Sequence, residues 1–231
     1  MLNSLLKDPI FQISITMVVY ALVNRLYQRF HFFLFNPLVL ATAIMIYLLN
    51  YAKIEYSVYA KGGDMITFLL GPATVALGVP LYKQMPAIKA NFRSIITGVL
   101  VGSVTAITSS VLLAKALGAS RVTLLSLTAK STTMPIALGI TKILGGHDNL
   151  IVLAVAVTGI FGGAVGAEVM KLARVKSRIA VGIGIGTASH AGGTSRAIQL
   201  GETEGSMSGA AIVLTGLTTA LIAPYLIRWL I

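Results

Sequence analysis

The chain contains no cysteine. A disulfide framework and thiolate metal sites are therefore excluded. Histidine occurs three times. His31 and His147 fall near predicted helix ends, and no ligand spacing joins any of the three, so no metal and no cofactor is expected. Acidic residues number 7 in 231, and all charged residues together make up 11%. A soluble domain carries about 25%, so an ordinary water-soluble fold is excluded.

What remains is apolar. Hydrophobic residues reach 56%, with a mean hydropathy of +0.87. The fold class this implies is an all-α polytopic membrane protein. The net charge of +11 would suggest nucleic acid in a soluble chain. Here the basic residues are scattered between apolar runs, which is the pattern of membrane topology, and no nucleic-acid role is expected.

A spanning helix needs about 20 apolar residues. Candidate spans run from Pro9 to about Leu26, Pro37 to Ala52, Ala87 to Leu117, Leu150 to Met170 and Met207 to Leu230. The first reads as a membrane helix rather than a cleaved signal peptide. The span from Leu150 carries Gly159, Gly162, Gly163 and Gly166, a small-residue face that permits close helix approach.

Three further apolar segments are interrupted. Gly71-Pro72 breaks the segment from Ile66 to Tyr82, because proline removes a donor and clashes with the preceding turn. Lys130-Ser131-Thr132-Thr133-Met134-Pro135 breaks the segment from Val122 to Leu144. Gly186-Thr187-Ala188-Ser189-His190-Ala191-Gly192-Gly193-Thr194-Ser195-Arg196 breaks the segment from about Arg178 to Gln199, with Gly192 and Gly193 as its expected helix breakers. Irregular backbone is not tolerated against lipid. Each break must be buried in protein or line a wet cavity.

The distribution of Lys and Arg favours an N-terminus outside, with the segments at Gly71 and His190 crossing and the segment at Thr132 re-entrant. That makes about seven spans plus one re-entrant segment in a single domain over residues 1–231. It also makes an inverted repeat, about 37–117 against about 150–230. Corresponding interruptions in two halves mark a transporter's midplane site.

Three of these stretches carry a family resemblance. Gly71-Pro72-Ala73-Thr74-Val75-Ala76-Leu77 with Pro80-Leu81-Tyr82, Lys130 to Ala137, and Gly186 to Thr194 resemble the LrgB/CidB family of bacterial membrane proteins over nearly the whole chain. The family usually reads Val-Thr-Thr-Pro where this chain has Thr132-Thr133-Met134-Pro135. The resemblance implies one of two functions. One is an antiholin-like regulator of murein hydrolase export and cell lysis, working with a small LrgA/CidA-type membrane partner. The other is transport of small monocarboxylates of the pyruvate, glycolate or glycerate class; alternating access is expected from the inverted pattern of breaks rather than from the resemblance. It also implies a multi-pass protein of the inner or plasma membrane, with a homo-oligomer left open.

Site candidates follow from chemistry. Lys130 and Arg196 can each neutralise a small organic anion, Arg196 with a bidentate fork. Thr74, Ser131, Thr132, Thr133, Ser189, Thr194 and Ser195 can donate to it, aided by half-helix N-termini. The plainer alternatives are that Arg196 pairs with Glu202 or Glu204 and that the hydroxyls satisfy freed carbonyls. His190 and Glu168 are the candidates for proton coupling. Their plainer roles are a neutral imidazole bridging backbone groups and an interfacial pair with Lys171. Enzyme readings fail. Gly182-x-Gly184-x-Gly186 lacks the strand and acid of a dinucleotide site, and Ser189-His190 lacks an orienting third group.

Overall fold

The computed structural model describes residues 8–30, 37–69, 72, 75–76, 78–83 and 85–231. Among them every regular element is an α-helix. Gly71 and Thr74 lie outside the described residues, and the break expected at Gly71-Pro72 lies there with them.

The chain divides into two compact units, residues 1–73 and 74–231. The first contains α1 (Pro9–Phe30), α2 (Pro37–Tyr51) and α3 (Tyr56–Phe68). Val19, Val23, Ala41 and Met45 form its buried cluster. The Thr16 hydroxyl meets the Tyr59 phenol at 2.9 Å.

The second unit contains α4 (Gly78–Lys83), α5 (Met85–Ala90), α6 (Phe92–Ala116), α7 (Arg121–Leu127), α8 (Met134–Leu144), α9 (Asp148–Leu172), α10 (Arg178–Leu200) and α11 (Glu202–Leu230). By length and composition, α1, α6, α9 and α11 can each cross a membrane. Leu113, Leu153, Phe161, Leu221 and Trp229 are large apolar side chains left exposed on α6, α9 and α11, as expected where lipid rather than water is the neighbour.

Glycine packing reveals how α10 runs. Ser189 (φ −140°, ψ 19°) and His190 (φ 42°, ψ −137°) leave helical geometry inside it. A Cβ on Gly193 would lie 2.8 Å from Ile185 Cγ2. In a straight helix those residues are about 12 Å apart along the axis. The two arms therefore fold back on each other. The first arm runs parallel to α11, because Gly182 faces Met207 and Gly186 faces Ala211. The second arm returns, with Thr194 bonded to Ser208 and Ile198 against Gly205. Arg178 and Glu204 consequently meet at 3.7 Å.

The topology expected from sequence is corrected here. The segment at His190 enters and leaves at the same end of the bundle and does not cross. Glu202 and Glu204 join the end that holds Arg174 and Arg178, while Arg228 moves to the opposite end. The breaking residues are also corrected. Gly192 and Gly193 are helical, and the break lies just ahead of them at Ser189 and His190. The two glycines serve close packing instead. A Cβ on Gly192 would lie 2.5 Å from Gly159 Cα.

The Lys130 segment is a second hairpin, of opposite sense. α6 runs parallel to the first arm of α10 (Gly98 on Ile183, Gly102 on Thr187). α9 runs antiparallel to that arm (Gly166 on Ile185, Gly162 on Ser189). The C-terminus of α6 and the N-terminus of α9 thus share one end, and α7 and α8 start and finish there. The His147 N–H closes this hairpin by donating to Ser126 Oγ at 2.7 Å. α7 stops at Leu127, and α8 restarts at Met134 with Pro135 in its first turn, where a missing N–H costs nothing.

So α6 is followed by a hairpin entering from the end α6 reaches. α9 returns and is followed by a hairpin entering from the other end. The first copy of the repeat expected over about 37–117 extends across both units and includes undescribed residues. The second, about 150–230, contains a segment that turns back.

Candidate functional site

The hairpin tips meet inside the second unit. Lys130 and Ser131 from one tip and Thr187 and Ala188 from the other line a single cavity of about 670 Å3. This lies in the range of small-molecule sites, about 300–1,000 Å3. From the tips the cavity extends along α6 to Ser94 and Asn91 and reaches Ser177 before α10. Asn91 to Ser109 is roughly 27 Å of helix at about 1.5 Å per residue. The cavity therefore runs from mid-depth toward the end where α9 finishes and α10 begins. Around that end lie Lys89, Arg93, Lys171, Arg174, Lys176 and Arg178, and at the other end Lys115, Arg121, Lys142 and Arg228.

Among the described residues, Lys130 is the one charged residue in the cavity wall. Its ammonium donates to Ser131 Oγ at 3.3 Å. The ion pairs among the described residues are Lys142–Asp148, Arg178–Glu204 and Arg196–Glu168, so Lys130 has no carboxylate partner there.

His190 is buried, and its Nε2 meets the Val155 carbonyl of α9 at 2.9 Å. A carbonyl only accepts, so Nε2 carries the proton in this contact. Val155 belongs to the apolar cluster that also holds Ala129, next to Lys130. This contact ties the tip of the α10 hairpin to α9 through one backbone carbonyl.

Most other hydroxyls of the breaks serve the backbone. Ser189 donates to Ile185 O at 2.8 Å, Thr194 to His190 O at 2.8 Å, Ser195 to Gly192 O at 2.7 Å and Thr132 to Ala129 O at 2.9 Å. Each bond replaces one lost to helix interruption or fits the i−3/i−4 pattern of Ser and Thr. Thr133 caps α8 with its hydroxyl buried and unbonded. Arg196 lies on the return arm of α10, outside the cavity wall. It holds Glu168 of α9 at 3.4 Å and Gln199 Oε1 at 3.0 Å. Glu168 is therefore Arg196's partner rather than Lys171's, and neither Glu202 nor Glu204 holds Arg196.

The polar wall of α6 went unread in the sequence. Ser94, Gly98, Gly102, Thr105 and Ser109 line the cavity. Their spacing of four, four, three and four is a helical stripe of small and polar residues. That period was the available signal. Thr187 was likewise hidden inside a longer polar stretch.

Helices long and apolar enough to cross a membrane, two opposed broken hairpins and a cavity lined by Lys130 define a polytopic membrane protein with a buried polar site. The chain belongs to the LrgB-like family, whose model matches residues 16–229. It is similar to the uncharacterized protein YwbG of Bacillus subtilis (strain 168), 34% identical over 96% of this chain and 98% of that protein. It is also similar to proteins named antiholin-like protein LrgB from Bacillus mycoides (strain KBAB4) and Bacillus cereus (strain B4264), each 34% identical over 94% of both chains. No solved structure matches.

Proposed function

We propose that this protein is a secondary transporter of small monocarboxylates, working by alternating access in the cell membrane. The observation that carries the reading is the cavity that ends at Lys130. It is closed at mid-depth by two hairpin tips, carries the hydroxyls of Ser94, Thr105, Ser109, Ser131, Ser177 and Thr187 in a largely apolar wall, and among the described residues holds a single cation that forms no ion pair with a carboxylate. A cation in such a place is costly unless it serves an ion. One carboxylate would neutralise it, and a C2 or C3 hydroxy or keto acid fits the volume with water to spare. The basic end of the unit reads as cytoplasmic, so the cavity corresponds to an inward-open state. The opposed hairpins, each following a crossing helix, support a shorter inverted repeat, about 92–144 against 148–200, built around the site.

Within this reading Lys130 and Ser131 contact the anion and Thr187 shapes the tip. Thr132, Ser189, His190, Thr194 and Ser195 hold the hairpins' broken backbone. Arg196 and Glu168 tie the return arm to α9. A small LrgA/CidA-type partner and self-association both fit the exposed apolar faces of α6, α9 and α11, as does lipid.

A binding titration on purified protein tests the site. Glycolate, glycerate or pyruvate should raise the thermal unfolding temperature of the wild type in a saturable way. Lys130→Gln should lose at least tenfold in affinity. Equal stabilisation of both proteins would remove Lys130 from the site.

The second reading is an antiholin-like regulator of lysis. It is favoured by the printed names of the Bacillus relatives. It predicts leakage of a fluorescent dye from loaded liposomes, with no preference among carboxylates.

A further inference from the structure

We infer that Lys130 is itself the proton carrier of the site, so that each monocarboxylate moves together with one proton as an electroneutral pair. The inference rests on the transport reading above and adds the coupling chemistry. The chain has seven acidic residues, and among the described residues none forms an ion pair with Lys130. A half-buried ammonium with no carboxylate partner is costly, and such groups tend to neutralise. Two states of the site avoid that cost. In one, the ammonium faces a bound carboxylate. In the other, the site is empty and the amine is neutral. An empty site with a charged lysine is the unfavourable third state.

The other titratable candidates are committed elsewhere. His190 is the titratable group of the opposite tip, on α10. Its Nε2 proton is engaged by Val155 O, and a second positive charge there would oppose Lys130. Glu168 is on α9, half-exposed and paired with Arg196, outside the cavity wall. The cavity-lining residues of α6 are Ser94, Ile95, Gly98, Gly102, Thr105, Ala106 and Ser109, none of which titrates.

The proton count is closed. As the anion enters the vestibule, Lys130 Nζ takes one proton from water. The neutral pair changes sides. The anion leaves, Nζ returns the proton to water on that side, and the neutral empty site resets. Net charge moved is zero, so a pH difference drives uptake and a membrane potential does not.

The test has two arms on the intact protein near neutral pH. In weakly buffered solution, glycolate binding to the wild type should consume up to one proton per chain. His190→Gln and Glu168→Gln should bind with the same proton uptake. Lys130→Arg keeps the charge but does not release it, and any glycolate it binds should consume none. In proteoliposomes, wild-type uptake should rise at least fivefold with an inward proton gradient. It should change less than twofold when a potassium–valinomycin potential of either sign is imposed. Glycolate binding without proton uptake would overturn the inference. Loss of proton uptake in a His190→Gln protein that still binds would do the same, as would uptake that follows voltage. A wild type that neither binds nor moves any carboxylate would instead sink the transport reading itself, and this inference with it.

Discussion

His190 Nε2 meets the carbonyl oxygen of Val155 at 2.9 Å, joining the tip of one hairpin to the middle of α9. His190 also carries a positive φ of 42°, a backbone region that L side chains rarely adopt. The side-chain bond holds the strained residue in place. His190→Ala should lose that bond and keep the strain, destabilising the protein by about 1–3 kcal/mol. His190→Gly should be less damaging, because glycine tolerates φ > 0. Thermal unfolding in detergent checks both. An alanine variant as stable as the wild type would refute the bridge.

The α10 hairpin fits against α9 only because side chains are missing at the contact. A Cβ on Gly162 would overlap Ser189, and one on Gly192 would press on the Gly159 backbone. Gly162→Ala and Gly192→Ala should each cost about 1–3 kcal/mol or more through overpacking. Gly139→Ala on α8 is the matched control, with nothing within 4 Å of the added methyl. It should be neutral or stabilising by up to about 1 kcal/mol, since alanine is the better helix former. Unfolding temperatures that fail to separate these variants would contradict the packing.

The absence of cysteine makes topology directly measurable. Single cysteines at Lys176 and Glu202 flank the α10 hairpin and should react with an impermeant maleimide from the same side of the membrane. A cysteine at His147 should react from the other. Labelling of positions 176 and 202 from opposite sides would mean that the segment crosses.

The Arg196–Glu168 pair is partly exposed on both sides, with side-chain exposures of 36% and 53%. Such pairs contribute about 0–1 kcal/mol. Arg196→Gln and Glu168→Gln in a double-mutant cycle should show coupling in that range. Arg196→Gln should leave carboxylate affinity within about threefold, because the residue is outside the cavity wall. A tenfold loss would return Arg196 to the site.

Much of the fold was legible because membranes restrict the choices. Apolar runs located α1, α2, α6, α9 and α11 to within a few residues, and the polar run at Lys130 located one hairpin tip. The sense of the His190 segment was not legible. Hydropathy reports that a segment is apolar and interrupted, and a crossing and a hairpin of equal length look alike. What decides is the fit of Gly182 and Gly186 on α11 and of Ile185 on Gly193, which are contacts in space. Charge misled for the same reason. Arg196 is a cation inside a polar stretch, yet nearly two turns of helix carry it past the tip to Glu168. The isolation of Lys130 from carboxylates among the described residues is consistent with the scarcity of acids in the sequence.

The central claim is that the cavity ending at Lys130 carries a small monocarboxylate across the membrane. Uptake of labelled pyruvate, glycolate and glycerate into proteoliposomes tests it most directly. The account predicts saturable uptake of at least one of the three, competition by the unlabelled acids, and a loss of at least tenfold in Lys130→Gln. No uptake under any gradient, with or without a small membrane partner, or uptake that neither saturates nor depends on Lys130, would contradict it.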